Sequence, residues 1–591
     1  MFLRSTIRKK DGKQHRTWSV VESRRVAGGK VVQRPVLYLG EINDSQAAAW
    51  RKSIAVLEDG ATQPRPAALF PDDRAEGLTD DCAIIRLRLS ELTLHNPRQW
   101  GACWFGLHLW EELQLDRFWS DRLPPSRKGT RWDHVLLVLT LYRLLAPGSE
   151  WRLHRQWFDR TALPDLLGTQ ADLGAIHALY ACHDRLLAHK TALFSHLRNR
   201  WRDLFNPDFD VLLYDLTSTY FEANPPFPEG DKRRFGYSRD KRSDCVQVVI
   251  ALVITPDGLP LAYEVLAGNT ADNTTLRDFL ARIEAQYGKA RRIWLMDRGI
   301  PTEAVLAEMR EADPPVRYLV GTPKGRLTRL QQRLTDLDWQ QVRPGVQVKL
   351  LPEHGELYVF ASSQDRVLKE RGMRRRQLKW LWARLKQLSG MELSHKELLM
   401  RLGAARAHAP AAWRLVDVEV ADAAATFSYR LNRTKLRQVR LREGRYLLRT
   451  NMAGDDPAVL WEYYMRLVEV EQAFKTLKGE LAIRPIFHQR EDRVEAHIFI
   501  AFLAFALHAT LRQRVRALAP GLTPRAVLET FAAMQMIDVR IPTTDGRALL
   551  MSRHTEPPAA LKVLIGQLRL QLPDQPPPRI TAADVAPLQP V

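Results

Sequence analysis

Residues 209–222 read FDVLLYDLTSTYFE, and an acid, Asp215, stands directly after the apolar run VLLY. Branched and aromatic side chains in such density fit a pleated, buried strand. Two more strand-like runs follow, CVQVVIALVIT at 245–255 and LPLAYEVL at 259–266. The first of these is almost wholly apolar, which predicts a central place in a sheet covered on both faces. The Thr/Asn-rich segment GNTADN at 268–273 then caps a helix, TTLRDFLARIEAQY at 274–287. A fourth strand, RRIWLMD at 291–297, ends on a second acid, Asp297. A helix opened by Pro301 runs through AVLAEMREA, and VRYLVG at 316–321 makes a fifth strand.

The order strand-strand-strand-helix-strand-helix-strand predicts an α/β fold of the ribonuclease-H-like kind, a mixed sheet flanked by helices, over residues 206–324. Its closing part is expected at 451–515, where Asp456 and Pro457 supply the N-cap and first position of a helix. Leu460, Tyr463, Leu467, Val470, Phe474, Leu477 and Leu481 recur along it at steps of three and four, an apolar stripe that must be packed. Tyr464, Glu471 and Lys478 each follow a stripe member and lie seven apart, so they line one flank of that face, whereas Glu469 points elsewhere. Between the two parts, 325–450 reads as an inserted, partly β subdomain with a very basic helix, RVLKERGMRRRQLKWLWARLKQL at 366–388, then WRLVDVEV, TFSYRLN and GRYLLRT. Arg371, Arg374, Arg375, Arg376 and Lys379 on that helix either track a phosphate backbone or face solvent.

Ahead of the core, residues 1–60 read as a small basic β-hairpin module, RTWSVVESRRV and VVQRPVLYLG around a turn at Gly28-Gly29. Residues 85–205 read as a helical domain with a role in binding DNA ends, carrying Trp104, Leu107, Trp110 and Leu113 at helical spacing and a basic group at Arg122, Arg127, Lys128 and Arg131. Residues 516–591 read as a helical region followed, from about 570, by a disordered Pro-rich tail.

The 591 residues carry 88 Lys and Arg against 68 Asp and Glu, a formal charge of +20, which suits a polyanionic partner. Cys82, Cys103, Cys182 and Cys245 lie too far apart for a zinc knuckle or a disulfide framework, which points to a reducing compartment. The basic start lacks an apolar h-region, and the runs 135–139 and 498–507 are too short to span a bilayer, so a cytoplasmic protein with no membrane partner is expected. A Gly-rich phosphate loop, a zinc-type His/Cys cluster and a Gly-x-Ser-x-Gly elbow are all missing from the sequence.

Two-metal phosphoryl transfer needs about three carboxylates converging on cations roughly 3.5–4 Å apart. Asp215 on the first strand, Asp297 on the fourth and Glu471 on a late helix have the distribution a ribonuclease-H-like nuclease requires, and hard oxygen ligands suit Mg²⁺ or Mn²⁺. Taken singly, an Asp at the end of a strand run also serves as a turn or helix cap, and a Glu at a helix edge is commonplace. Around them, Lys232, Arg233, Arg234, Arg239, Lys241 and Arg242 with Phe235 and Tyr237 form a basic, aromatic loop. Arg298, His488, Arg490 and Arg493 are further phosphate candidates.

Four stretches, YDLTSTYFE, GYSRDKRSDCVQVVIALVITPDGLPLAYEVLAGNTADNTTL, LMDRGI and VEQAFKTLKGELAIRPIFHQREDRVEAHIFIAFLA, resemble the DDE-class insertion-sequence transposases. The branch is the one with a Tyr-x2-Arg-x3-Glu-x6-Lys signature and an insertion before the final Glu. The resemblance implies Asp215, Asp297 and Glu471 as the metal-binding triad and DNA transposition as the activity, with double-stranded DNA as partner and a homodimer on it. Hydrolysis of one strand at the element end would free a 3′-hydroxyl that attacks a second phosphodiester, Lys478 holding a phosphate nearby. Tyr464, Glu471 and Lys478 fit the signature, but its arginine position falls on Leu467; Arg466 lies one residue early, about 100° round an ideal helix. Tyr463-x2-Arg466 fits only in the other register. The alternatives are a nuclease or resolvase of the same fold without strand transfer, and an inactive DNA-binding remnant of an element.

Overall fold

The computed structural model describes residues 2–10, 13–25, 31–40, 54–58, 65–67, 86–169, 172–222, 227–238, 240, 242–271, 275–287, 292–297, 299–322, 330, 337–421, 426–452 and 454–581. Two compact units result, one of residues 183–509 and one made from both ends of the chain, 1–182 with 510–591.

The 183–509 unit is built on a nine-stranded sheet. Its first five strands are β1 (Val211–Phe221), β2 (Val246–Ile254), β3 (Pro260–Ala267), β4 (Ile293–Met296) and β5 (Arg317–Gly321). Every residue of β2 is buried, as its unbroken apolar run requires of an inner strand. Strands β1, β2 and β3 pair antiparallel, while β4 runs parallel to β1 and β5 parallel to β4, in the order β3-β2-β1-β4-β5. Helix α1 (Lys190–Phe205) precedes β1, α2 (Leu276–Tyr287) joins β3 to β4, and α3 (Glu303–Glu311), N-capped by the Thr302 hydroxyl, joins β4 to β5. The mixed α/β class is as expected, but Asp215 sits inside an eleven-residue strand rather than at its end, so it caps no turn.

The sheet does not stop at β5. Strands β6 (Gln340–Arg343), β7 (Val346–Glu353), β8 (Glu356–Ser363) and β9 (Arg445–Thr450) extend it in the order β6-β7-β8-β9-β5. The segment 325–450, read as an inserted, partly β subdomain, thus gives its flanking strands to the main sheet, with β9 antiparallel to both β5 and β8. The physical reason is apolar area, since Leu351, Tyr358, Phe360 and Leu447 bury one another across these strands. What remains separate is α4 (Gln364–Ser389) with helix His395–His408 and the hairpin Val416–Val420 and Phe427–Leu431, closed over a core of Leu381, Leu385, Leu388, Leu398 and Leu402.

Helix α5 (Pro457–Lys475) starts where the sequence predicts, with the Asp456 carboxylate accepting from the Ala458 N–H at 2.9 Å and Pro457 first in the helix. It packs against β1, β4, β5 and β6. Past Lys475 it continues as a wide π turn, Thr476–Glu480, in which the Leu481 N–H reaches the Thr476 carbonyl at 2.9 Å. Helix α6 (Glu491–Leu518) contains the run 498–507. It has 28 residues and is apolar enough to cross a membrane by length and composition alone; 94% of its apolar window is buried inside the protein, as in a core helix.

In the other unit, Lys13–Arg25 and Val31–Gly40 pair antiparallel, and Phe2–Lys10 adds a third strand that the sequence reading did not foresee. The turn at Gly28-Gly29 lies outside the described residues. Helix Gly101–Glu112 buries Trp110 and stacks Phe105 on Phe531 at 4.2 Å, so much of the aromatic stripe is core. Of the basic group, Arg131 pairs with Asp133 and the Arg122 guanidinium lies over the Phe118 ring. The C-terminal region, expected to be helical, holds helices Pro524–Phe531 and Ala559–Gln567 and also strands Gln535–Pro542 and Ala548–His554, the former strand pairing with Thr93–Gln99. Its tail is folded at least as far as Ile580, which is buried with Ile541, Leu549 and Met551. Burial of these four apolar side chains together favours an ordered Pro-rich segment.

Candidate active site

Strands β1 and β4 are parallel and in register, Tyr214 facing Met296. Asp215 and Asp297 each follow one of these partners, so they stand side by side at the same level of neighbouring strands, which run about 4.8 Å apart. Asp215 is half-buried and its carboxylate accepts the Leu216 N–H at 2.8 Å; Asp297 is exposed beyond the end of β4. Helix α5 lies over β1 and β4 with Val470, Ala473 and Phe474 buried beneath it, leaving Glu471 exposed at the edge of the packed face.

Tyr464, on the helix that bears Glu471, lies within electrostatic reach of Asp297 as well. Burial pushes its phenol well above the usual value, and the charges of Tyr446, Asp297 and Glu471 push the same way against Arg366. One hydroxyl thus feels both carboxylates and stays protonated at neutral pH. Its ring packs edge-on to Tyr446 at 5.1 Å and beside Trp461 at 5.6 Å, so the side chain is also part of an aromatic cluster between β9 and α5.

Lys478 lies in the π turn and donates to both oxygens of Asp240 at 3.1 and 3.3 Å; Arg484 makes a second ion pair to the same carboxylate. Asp240 belongs to the basic loop between β1 and β2, so the loop is tied to the end of the Glu471 helix. Neither Asp240 nor Arg484 was singled out from sequence, and the only signal was their place inside the long matching stretches. Arg466 pairs with Glu462 one turn back at 3.0 Å.

Much of the loop's charge holds the loop itself. Arg233 is buried against Asp231, and Lys232 pairs with Glu491 and Glu495. Arg242 pairs with Asp244 at 3.0 Å and Glu222 at 3.3 Å. Gln247 on β2 donates to the carbonyls of Tyr237 and Gly268, and a Cβ on Gly236 would stand 2.1 Å from the Gly268 carbonyl oxygen, so only glycine allows this approach. Phe235 and Tyr237 remain exposed. Arg239, Lys241 and Arg298 lie outside the described residues. His488 is buried between His183, tilted against it, and His497, edge-on to it; Arg490 is exposed and pairs with Asp492, and Arg493 pairs with Asp184 at 2.7 Å.

Residues 207–507 match the model of a family described as the transposase DDE domain, and residues 3–67 match the N-terminal domain of IS1634 family transposases. The chain belongs to the DDE transposase family. It is a DNA transposase, a metal-dependent enzyme that cleaves DNA and transfers strands, and DNA is its partner. No curated protein matches the transposase. Among solved structures it is similar to the cryo-EM structure of a piggyBac transposase synaptic complex with hairpin DNA, at 9% identity and a TM-score of 0.36 over 72% of this chain and 79% of that one.

The donor set fits the divalent ions that DDE transposases use. Asp215, Asp297 and Glu471 offer only carboxylate oxygens, on rigid elements, with two of the three open to solvent and hence to water and phosphate.

Proposed function

We propose that Asp215, Asp297 and Glu471 hold the metal ions of this transposase on a ribonuclease-H-like core, with Mg²⁺ as the working ion and Mn²⁺ as a substitute. The observation that carries this reading is the register of β1 and β4, which sets Asp215 beside Asp297 under the helix that bears Glu471. The strand order β3-β2-β1-β4-β5, antiparallel then parallel, supports the core assignment. When bound, the ions polarise the attacking and leaving oxygens of an in-line displacement.

The chain's own groups do the rest. The neutral Tyr464 phenol, which feels the charges of Asp297 and Glu471, would donate to a phosphate oxygen bound beside them. Lys478 and Arg484 supply positive charge at the end of the same helix, held by Asp240 until a DNA phosphate competes for them. Water attacks at the element end, and the freed 3′-hydroxyl then attacks target DNA. The N-terminal sheet and the helices up to about residue 205 read the element ends, and two copies pair on DNA to bring two ends together, in the cytoplasm at the nucleoid.

The test is cleavage and strand transfer on element-end duplexes. Asp215→Ala, Asp297→Ala and Glu471→Ala should each lower cleavage by at least about 10³-fold while end binding persists. Cleavage at the wild-type rate in any one of them removes that residue from the triad. A precut end with a free 3′-hydroxyl should still be joined to target by the intact chain; hydrolysis without joining would favour the resolvase-like reading.

A further inference from the structure

Beyond the carboxylate site, the part of the chain that closes over its own core carries a second feature. Helix Arg433–Leu441 has no buried residue and no acid, and it bears Arg433, Arg437 and Arg440 at steps of four and three. That spacing sets three guanidinium groups along one face over roughly 10 Å. Its neighbour Lys435 is taken up by Asp417 at 3.2 Å, but among the described residues no ion pair is formed by Arg433, Arg437 or Arg440.

The basic helix α4 comes up beside it. Arg371 and Arg374 both pair with the buried Glu443, which follows the short helix directly. One carboxylate thus holds two arginines, and Arg374 feels the like charges of Arg440, Arg371 and Arg375, its guanidinium lowered first by burial and then by those neighbours. Such crowding is unfavourable in the isolated chain, and a polyanion laid across it would relieve it.

We infer that helix Arg433–Leu441 and the exposed Arg371 and Arg375 of α4 together form a seat for the phosphate backbone of duplex DNA, separate from the reacting phosphodiester. Duplex DNA presents one negative charge per roughly 1.7 Å of axis, so a 10 Å row of guanidiniums meets several phosphates. The contacts are to backbone, so they add affinity and register without reading sequence. The inference rests on the chain being a transposase and adds a binding surface to that reading.

The experiment uses the full-length chain carrying Arg437→Glu with Arg440→Glu, both exposed on a helix with no buried residue, and a second chain carrying Lys at the two positions. Binding of an element-end duplex and of a scrambled duplex is measured across salt concentrations, with circular dichroism and thermal melting as the check on folding. The Glu pair should weaken both duplexes by the same factor and flatten the plot of log K against log salt by about 0.9 per lost phosphate contact, near two in all. The Lys pair should keep most of the slope, and cleavage at saturating DNA should be unchanged. An unaltered slope in the folded Glu pair overturns the seat, and a loss confined to the element-end duplex overturns its backbone character. Loss of cleavage in Asp215→Ala with the slope intact would leave both readings standing, since the triad and the seat have different readouts.

Discussion

Tyr464 shows at the scale of one residue how a packing role and a chemical role coexist. Its ring is held by Tyr446 and Trp461, and its hydroxyl lies under the influence of Asp297 and Glu471. The two roles separate by substitution. Tyr464→Phe keeps the ring contacts and should leave the melting temperature within a degree or two, while the apparent KM for element ends rises severalfold. Tyr464→Ala should also destabilise the protein by about 2 kcal/mol, because part of an aromatic side chain leaves a cavity. Equal end affinity for Tyr464→Phe and wild type would reduce the residue to packing. Lys478 is a similar case: its register with Glu471 was legible in the sequence, but its partner Asp240 was not, because that carboxylate lies 238 residues away in the chain.

At the scale of elements, local patterns carried the reading as far as local patterns go. The five core strands, the cap of α5 and the placing of Asp215 and Asp297 followed from apolar runs bounded by cap and turn residues. GRYLLRT reads as a strand within the insertion, since nothing in its seven residues says that their neighbours in space are β5 and β8. The same limit hid the pairing of Thr93–Gln99 with Gln535–Pro542, which an ion pair now makes testable. Asp538 accepts from Arg98 at 2.6 and 3.0 Å, from Ser552 at 2.7 Å and from Asn96 at 3.2 Å. Burial alone would raise its pKa, but the hydrogen bonds from Arg98, Ser552 and Asn96 outweigh it and hold the carboxyl at about 2. A depressed carboxylate stabilises the fold above its unfolded pKa near 3.9, and that stability is lost as pH falls through about 2. The stability gap between wild type and Asp538→Asn should therefore be on the order of 2 kcal/mol at neutral pH and close as the pH drops from about 4 towards 2. A gap that does not change with pH would mean the variant acts by shape rather than charge.

At the scale of the whole molecule, the chain's two ends meet in one unit, a connection that no reading along the sequence could expose. The strand Arg579–Ile580 lies between Ala548–His554, antiparallel to it, and Ile54–Glu58, parallel to it. Two residues at the far end of the chain therefore join the segment around residue 54 to the rest of the sheet. Ile580 is buried with Ile541, Leu549 and Met551, and Ile580→Ala should cost about 2–4 kcal/mol as a cavity in that small core. Removing residues 571–591 should go further, releasing Ile54–Glu58 and Arg65–Ala67 from their sheet neighbour, whereas removing only 582–591 should leave this junction intact. Limited proteolysis distinguishes the two: the longer truncation should open early cleavage between residues 54 and 67, and the shorter one should digest like the full chain. Because the proposed triad, Asp215, Asp297 and Glu471, lies in the other unit, metal-dependent nicking should survive the longer truncation while binding specific to element ends declines. If both activities fell together, the N-terminal segment would have to act on the catalytic step and not on end recognition alone.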